Sequence, residues 1–506
     1  MNKRYGNEEV LVNTGISNLD NILGGGLTSD RVYLVHGSPG TGKTTLAIQF
    51  LLEGVKRGEK TLYITLSETK SELNAVATSH GMDLSGVDIF ELVASEAELY
   101  PDNQYTMYQP SDIELNETTK LILEKVEDLK PARIVIDSLS EVKLLAQNPL
   151  RFRRQVLALK QFFTGRKCTV IFLDDKSKVG EDDMQLESIA HGVVFLEQLS
   201  PEYGAERRRL RITKLRGQRY RGGYHDFAIV RGGLKIFPRI VASEHLRRSV
   251  VSVLKSGVGE MDQLVGGGID TGTSVLLLGP AGVGKSTLAL QYASEAAKNG
   301  QSSAIFSFDE RVETIYQRCK GLNIPIEEYV EAGLIDIRAV DPTELSPGEF
   351  ASLVRSAAEG RDGKEGVKIV VIDSLNGYLN AMPEERFLTS QLHELLTYLG
   401  HLEVVTFLVV AQHGLLGNAM STPIDTSYLA DAVILFRYFE AQGKVRQLIS
   451  VVKKRSGKHE RSIREFKLGE NGISIGQPLH DFHGVLTGTP VYQGDQEMLI
   501  KTSDEK

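Results

Sequence analysis

Short unbroken apolar runs organise this chain. They are set between longer stretches whose apolar residues recur every three or four positions. In the first half the runs are VYLVHG (32–37), TLYITLS (61–67), RIVIDS (133–138) and TVIFLDD (169–175). None alternates apolar with polar, so each reads as a strand covered on both faces. The intervening TTLAIQFLLEGVKRG (44–58) has helical periodicity. Such strands separated by helices predict an α/β fold, with a mostly parallel sheet flanked by helices. Later, RRRLRITKLRG (207–217) precedes HDFAIVRGGLKIF (225–237). The turn signals there predict an antiparallel extension at one edge of the sheet.

The whole pattern then occurs again. TGISNLDNILGGGL begins at Thr14, and SGVGEMDQLVGGGI begins at Ser256, 242 residues later. The aspartate and the triple glycine coincide without a gap. GSPGTGKTT from Gly37 and GPAGVGKST from Gly279 stand at the same offset. RIVIDS (133–138) is matched by IVVIDS (369–374), and ITKLRG (212–217) by VVKKRSG (451–457). Four matches in one order identify a duplicated domain. We divide the chain into a first domain at 1–245, a second at 246–485 and a peripheral tail at 486–506.

Composition narrows the class. Of 506 residues, 41% are hydrophobic and 25% charged, as in a globular protein with room for two cores. No apolar run approaches the roughly 20 residues that span a bilayer. The start, MNKRYGNEEVLVNTG, lacks the apolar segment of a signal peptide. A cytoplasmic protein without a membrane partner is expected. Cys168 and Cys319 are the only cysteines, which argues against a zinc site or a disulfide framework. The net charge of −8 gives no general attraction to nucleic acid.

The chemistry lies in the two glycine-rich segments. Each fits G-x-x-x-x-G-K-[ST] between a strand and a helix. Glycines let backbone N–H groups close around phosphate oxygens at the positive end of the new helix. The expected nucleotide contacts are Gly37, Ser38, Gly40, Thr41, Gly42, Lys43, Thr44 and Thr45 in the first half. In the second they are Gly279, Gly282, Val283, Gly284, Lys285, Ser286 and Thr287. Lys43 and Lys285 reach the β- and γ-phosphates, while Thr44 and Ser286 ligate Mg²⁺. Asp137 and Asp373 end buried strands beside the loops, where each holds Mg²⁺ through water. The cofactors expected are therefore ATP and Mg²⁺.

A further carboxylate should polarise the attacking water from the end of the strand after the first helix. The second half offers Asp309 and Glu310. The first offers Glu68 alone, because Ser67 stands where its acidic neighbour would be. Gln412, with His413 beside it, and the pair Asp174 and Asp175 occupy strand ends that invite either a γ-phosphate contact or no special role. Three readings of the basic RRRLRITKLRGQRYR are open: a nucleic-acid stripe, a solvated edge, or cations reaching a neighbouring subunit's nucleotide. The element recurs as Lys214-Leu215-Arg216 and Lys453-Lys454-Arg455. Its presence in both halves, each with a phosphate loop, favours cations acting across a subunit interface.

Taken together, the paired halves, both loops, both IDS strands, KLRG, KKRSG and SIREFKLGENGI resemble the double-domain KaiC family of RecA-like ATPases, known from the cyanobacterial clock. The resemblance covers residues 12–485. It implies two tandem RecA-like P-loop NTPase domains in two-tiered hexameric rings, with ATP between subunits. It also implies ATPase activity in the first tier and, in clock members, autokinase and autophosphatase activity in the second. Glu68 falls on the second of the first-tier catalytic glutamates, and Asp309 and Glu310 on the second-tier pair. Lys214 and Arg216, and Lys453 and Arg455, match residues that face a neighbour's nucleotide. Aligning LADAVILFRYFE sets Ser427 and Tyr428 on the family's adjacent Ser-Thr phosphorylation pair. Ser427 is then the candidate phosphosite, with Thr426 and Thr422 as nearby hydroxyls.

The expected protein is a homohexameric, Mg²⁺-dependent ATPase with serine/threonine autokinase chemistry in its second domain. A regulatory protein partner reads its state. Two other classes stay open: a RecA-like nucleic-acid motor or recombinase, and a ring scaffold held together by ATP.

Overall fold

In the first half the apolar runs become β1 (Val32–Gly37), β2 (Thr61–Thr65), β4 (Arg133–Asp137) and β5 (Thr169–Asp175), joined by β3 (Asp88–Glu91) and β6 (Gly192–Leu199). These six strands run parallel. Then β7 (Arg207–Leu215), β8 (His225–Val230) and β9 (Gly233–Phe237) add an antiparallel edge, giving the order β3-β2-β4-β5-β1-β6-β7-β8-β9. The second half repeats this arrangement. Its parallel strands are β10 (Ser274–Gly279), β11 (Ser303–Ser307), β12 (Ile335–Ala339), β13 (Ile369–Asp373), β14 (Val405–Ala411) and β15 (Ala432–Ala441). The antiparallel edge is β16 (Lys444–Lys454), β17 (Ile463–Gly469) and β18 (Gly472–Pro478), in the order β12-β11-β13-β14-β10-β15-β16-β17-β18.

These coordinates are a computed structural model, which describes residues 10–92, 110–175, 183–245, 252–360, 365–380, 387–412, 428–441, 443–480, 482–484 and 491–492. The chain forms two compact units, Met1–Arg239 and Ile240–Lys506. The short turn Ala242–His245 belongs to the second, where the Ala242 N–H donates to Glu394 (3.0 Å) on the helix Leu388–His401.

Both faces of each sheet are buried, which explains the unbroken apolar strands. Successive residues of a strand point to opposite faces. Tyr33 and Val35 therefore pack with Leu46, Phe50 and Ile171 on one face. Leu34 packs with Ile64, Ile134, Val156 and Phe172 on the other. Val275, Leu288, Tyr292 and Phe407 repeat the first arrangement, and Leu276, Phe306, Leu392 and Leu408 the second. The duplicated lead-in is also duplicated in its bonds. Asp20 accepts from the Thr14 N–H and hydroxyl, both at 2.8 Å, and Asp262 accepts from the Ser256 N–H and hydroxyl at the same distances.

The antiparallel edge of the first unit hangs on a buried histidine. His225 Nδ1 accepts the Arg239 N–H (2.9 Å), and its Nε2 faces the Arg221 carbonyl (3.0 Å). This pairing requires a neutral ring, and burial pushes the imidazole pKa from 6.5 down to about 4. Between those values the unfolded chain binds a proton that the folded chain does not, so stability falls as pH drops through this window. The full loss is about 3 kcal/mol. Denaturant unfolding of the whole chain at pH 7 and pH 4.5 should show His225→Gln losing less stability on acidification than the unmutated protein. Parallel losses would rule this out.

Candidate functional site

Each phosphate loop follows from the geometry of its strand and helix. β1 ends at Gly37, and helix α1 (Lys43–Lys56) begins six residues later. Gly40 and Gly42 have φ of 81° and 98°, and Gly282 and Gly284 have 75° and 101°. Side-chain-bearing residues avoid this left-handed region. A methyl group on Gly42 would also meet Ile229 at 2.9 Å, and one on Gly284 would meet Phe466 at 2.6 Å. The antiparallel edge thus packs directly behind each loop. Thr41, Thr45, Val283 and Thr287 are buried within these turns.

In the first loop, the buried Lys43 donates to the carbonyls of Gly37 (2.9 Å) and Ser38 (3.0 Å). It also pairs with Asp175 at 2.8 Å. Thr44 Oγ1 donates to Asp137 Oδ2 (3.3 Å), and the buried Tyr63 hydroxyl donates to the same oxygen at 2.5 Å. Burial raises the Asp137 pKa, while Tyr63, Lys43 and Thr44 oppose the rise. The second loop begins β10–α2, with α2 at Lys285–Lys298. Lys285 donates to Gly279 O (2.9 Å) and Pro280 O (2.7 Å), and burial pulls its pKa down to about 8. The Ser286 hydroxyl bonds the Asp373 carboxyl, which burial raises. In each half a hydroxyl and a carboxylate meet beside the loop. This all-oxygen pair suits a hard divalent cation such as Mg²⁺.

The loops differ at the neighbouring strand end. Gly37 is registered opposite Asp175, and Gly279 opposite Ala411. The counterpart of Gln412 is thus position 176, outside the described residues, and not Asp174 or Asp175. Strand length could not reveal this offset, because only pairing sets it. Gln412 donates its N–H to Gly279 O (3.0 Å), and its Oε1 is buried without a hydrogen-bond partner. Asp174 accepts from Ser140 (3.0 Å). The Asp175 carboxylate occupies Lys43, the ammonium expected to meet phosphate. Asp175→Asn should therefore tighten ATP at the first site by about two- to fivefold, the range of a part-exposed ion pair. Nucleotide titration that finds weaker or unchanged binding would exclude this competition.

The candidate water-polarising carboxylates also differ. Thr65 accepts the Glu68 N–H (3.0 Å) and donates to the Glu68 carbonyl (2.7 Å), and Ser307 donates to the Glu310 carbonyl (2.8 Å). This turn sets the acidic residue just beyond β2 and β11. Glu68 Oε2 is buried with no hydrogen-bond partner among the described residues. Its pKa is raised by burial first and then by Asp137. Glu310 instead receives Arg318 Nη1 on both oxygens, each at 2.7 Å. Asp309 accepts a short bond from the Ser374 hydroxyl. Tyr63 and Arg318 were not singled out as site residues by the sequence, and Asp175 was placed at a strand end without its pairing to Lys43. Tyr63 and Arg318 are differences between halves, Tyr63 against Ile305 and Arg318 against Val76, which a residue-by-residue comparison of the repeats would have exposed.

The basic elements lie elsewhere. Lys214 is paired with Val193, and Leu215, buried, with Gly192, which in turn is registered opposite Tyr33. Tyr33 is four residues before Gly37, roughly 13 Å along the strand. Lys214 and Arg216 therefore sit toward the end of the sheet away from their own loop. Lys214 donates to Ser188 O (3.1 Å) and Arg216 to the same carbonyl (2.9 Å). In the second half Lys453 donates to Ala430 O (2.8 Å), Lys454 to Val265 O (2.7 Å) and Arg455 to Tyr428 O (3.1 Å). Ser427, Thr426, Thr422 and His413 lie outside the described residues.

A family model described as "ATPase: KaiC" matches residues 12–240 and 254–480. The chain is similar to the circadian clock oscillator protein KaiC of Acaryochloris marina, with 27% identity over 94% of this chain and 90% of that protein. The circadian clock protein KaiC3 of Synechocystis sp. is 26% identical over 97% of both chains. The circadian clock oscillator protein KaiC of Thermosynechococcus vestitus is 27% identical over 94% of this chain and 91% of its own.

Proposed function

The chain belongs to the KaiC ATPase family, and on that premise we propose that it is a Mg²⁺-dependent, hexameric ATPase whose two RecA-like domains do different work. The observation that carries this reading is the convergence of Lys43, Thr44, Asp137 and Glu68 on one loop, with a duplicated but altered set on the other. ATP binds with its phosphates in the loops. Bound Mg²⁺ would be held by Thr44 with Asp137 and by Ser286 with Asp373, and would offset charge on the phosphate oxygens.

In the first domain Glu68, its Oε2 unpartnered, takes a proton from water as that water attacks the γ-phosphorus. The bond to the ADP oxygen breaks, leaving ADP and phosphate. Lys214 and Arg216, directed away from their own loop, serve the nucleotide of an adjacent subunit, as Lys453 and Arg455 do in the second tier. In the second domain Asp309 accepts the proton of a side-chain hydroxyl on Ser427, Thr426 or Thr422 as its oxygen bonds the γ-phosphorus and the bond to the ADP oxygen breaks, leaving the phosphorylated side chain and ADP. The resulting state is read by a regulatory protein partner in the cytoplasm.

Incubation of the full chain with Mg-ATP, followed by turnover, mass and phosphosite measurements, tests each part. We expect hydrolysis, an ATP-promoted hexamer and phosphate on Ser427 or its neighbours. Absence of turnover would remove the ATPase reading. A monomer at micromolar concentration under saturating Mg-ATP would remove the shared site, and unmodified Ser427, Thr426 and Thr422 would remove the autokinase.

A further inference from the structure

The two halves place the same helix beside the candidate carboxylate but decorate it differently. Helix α3 (Lys70–Ser79) follows Glu68, and its counterpart in the second half, α4 (Val312–Gly321), follows Glu310. Both helices have ten residues. The residue eight positions beyond the carboxylate is Val76 in the first half and Arg318 in the second. From α4, Arg318 Nη1 donates to both Glu310 oxygens at 2.7 Å. Its Nε and Nη2 are buried and have no hydrogen-bond partner among the described residues, so there Glu310 receives all of its hydrogen bonding. A valine at the matching place brings no donor, and among the described residues Glu68 Oε2 has none.

A carboxylate serves water through a free lone pair and through its proton affinity. A guanidinium donating to both oxygens takes up a lone pair on each. We propose that Arg318 is a positioning residue that engages Glu310 and withholds it from the attacking water, so that the second ATP site hydrolyses more slowly than the first. The inference rests on the ATPase reading above. It gives the second loop a reason to hold its ATP. A site that spends nucleotide slowly on water stays charged for transfer to another acceptor. Val76 is the corresponding permissive residue in the first half.

The alternative is that the Arg318–Glu310 pair only braces the fold. The two are separated by measuring kcat and KM for Mg-ATP in full-length protein carrying Glu68→Gln, which silences the first site. There, Arg318→Gln should raise the residual kcat about three- to tenfold, the range of a part-exposed but well-aligned charged pair. KM should stay within about twofold, as expected when the change acts on the chemical step. Adding Glu310→Gln should abolish the gain, because the effect passes through that carboxylate. Arg318→Lys, with one ammonium in place of the fork, should give a smaller gain than Arg318→Gln. In the otherwise unmutated chain, Val76→Arg should lower turnover by a similar factor.

A brace predicts lost stability and no gain. A flat or reduced kcat in Arg318→Gln, or a gain that survives Glu310→Gln, would overturn the proposal. If Arg318→Gln does not fold, Val76→Arg decides, and unchanged turnover there counts against it. Absence of any Mg-ATP hydrolysis by the unmutated protein would instead defeat the ATPase reading, and this inference with it.

Discussion

Glu68→Gln is expected to lower steady-state Mg-ATP turnover by about 10²-fold or more while leaving nucleotide binding in place. The first half has one carboxylate at this strand end, since Ser67 carries none. Glu68 is therefore the sole candidate to relieve the attacking water of its proton there. Its Oε2 is buried and unpartnered, and burial with the nearby Asp137 raises its proton affinity. Both features favour a base over a structural ion. General-base assistance of this kind is worth typically 10²–10⁴-fold. Glutamine preserves shape and removes the base, so kcat should fall and ATP occupancy should not. A loss of less than about threefold would assign the step to another group. Asp309→Asn should leave most turnover intact and remove phosphate from Ser427, which separates the two halves by a single pair of variants.

Lys43→Ala and Lys285→Ala should each lower ATP occupancy at their own loop by about 10²-fold and leave the other loop filled. A charge-assisted contact to phosphate contributes about 1.5–3 kcal/mol. Both ammonium groups are buried and turned onto carbonyls of the loops expected to hold phosphate. Their surroundings differ. Lys43 must leave the Asp175 carboxylate, whereas in the second half the residue at the matching register, opposite Gly279, is Ala411. Nucleotide stoichiometry per chain, measured beside hydrolysis and phosphosite occupancy, is the readout. We expect Lys43→Ala to impair assembly and basal turnover, and Lys285→Ala to abolish phosphoryl transfer. Equal effects on every readout would contradict a division of labour.

Much of this architecture was legible in the chain. The runs 32–37, 133–138, 169–175 and 369–374 lack alternation because both sheet faces are covered, and periodicity reports coverage directly. The loops were legible because their glycines answer to a local backbone requirement, positive φ at Gly40, Gly42, Gly282 and Gly284. The duplication was legible because equal spacing survives when side chains change. Thr44 with Asp137, and Ser286 with Asp373, were also foreseeable as pairs, since parallel strands one place apart end at the same edge of the sheet, where the loop also begins.

The differences between the two sites came only from the tertiary structure. Nothing local to Tyr63 announces that its hydroxyl meets Asp137, 74 residues away. Strand register decided that Asp175, and not Asp174, faces the first loop, and that Ala411 stands in its place in the second. Helix packing brought Arg318 onto Glu310, while the matching position in the first half is a valine that brings no donor. Pattern and spacing determine which elements form and which loop binds phosphate, because those depend on short-range backbone geometry and on burial. Which side chain meets which carboxylate depends on the rotation and register of elements far apart in sequence, and only the folded sheet supplies these.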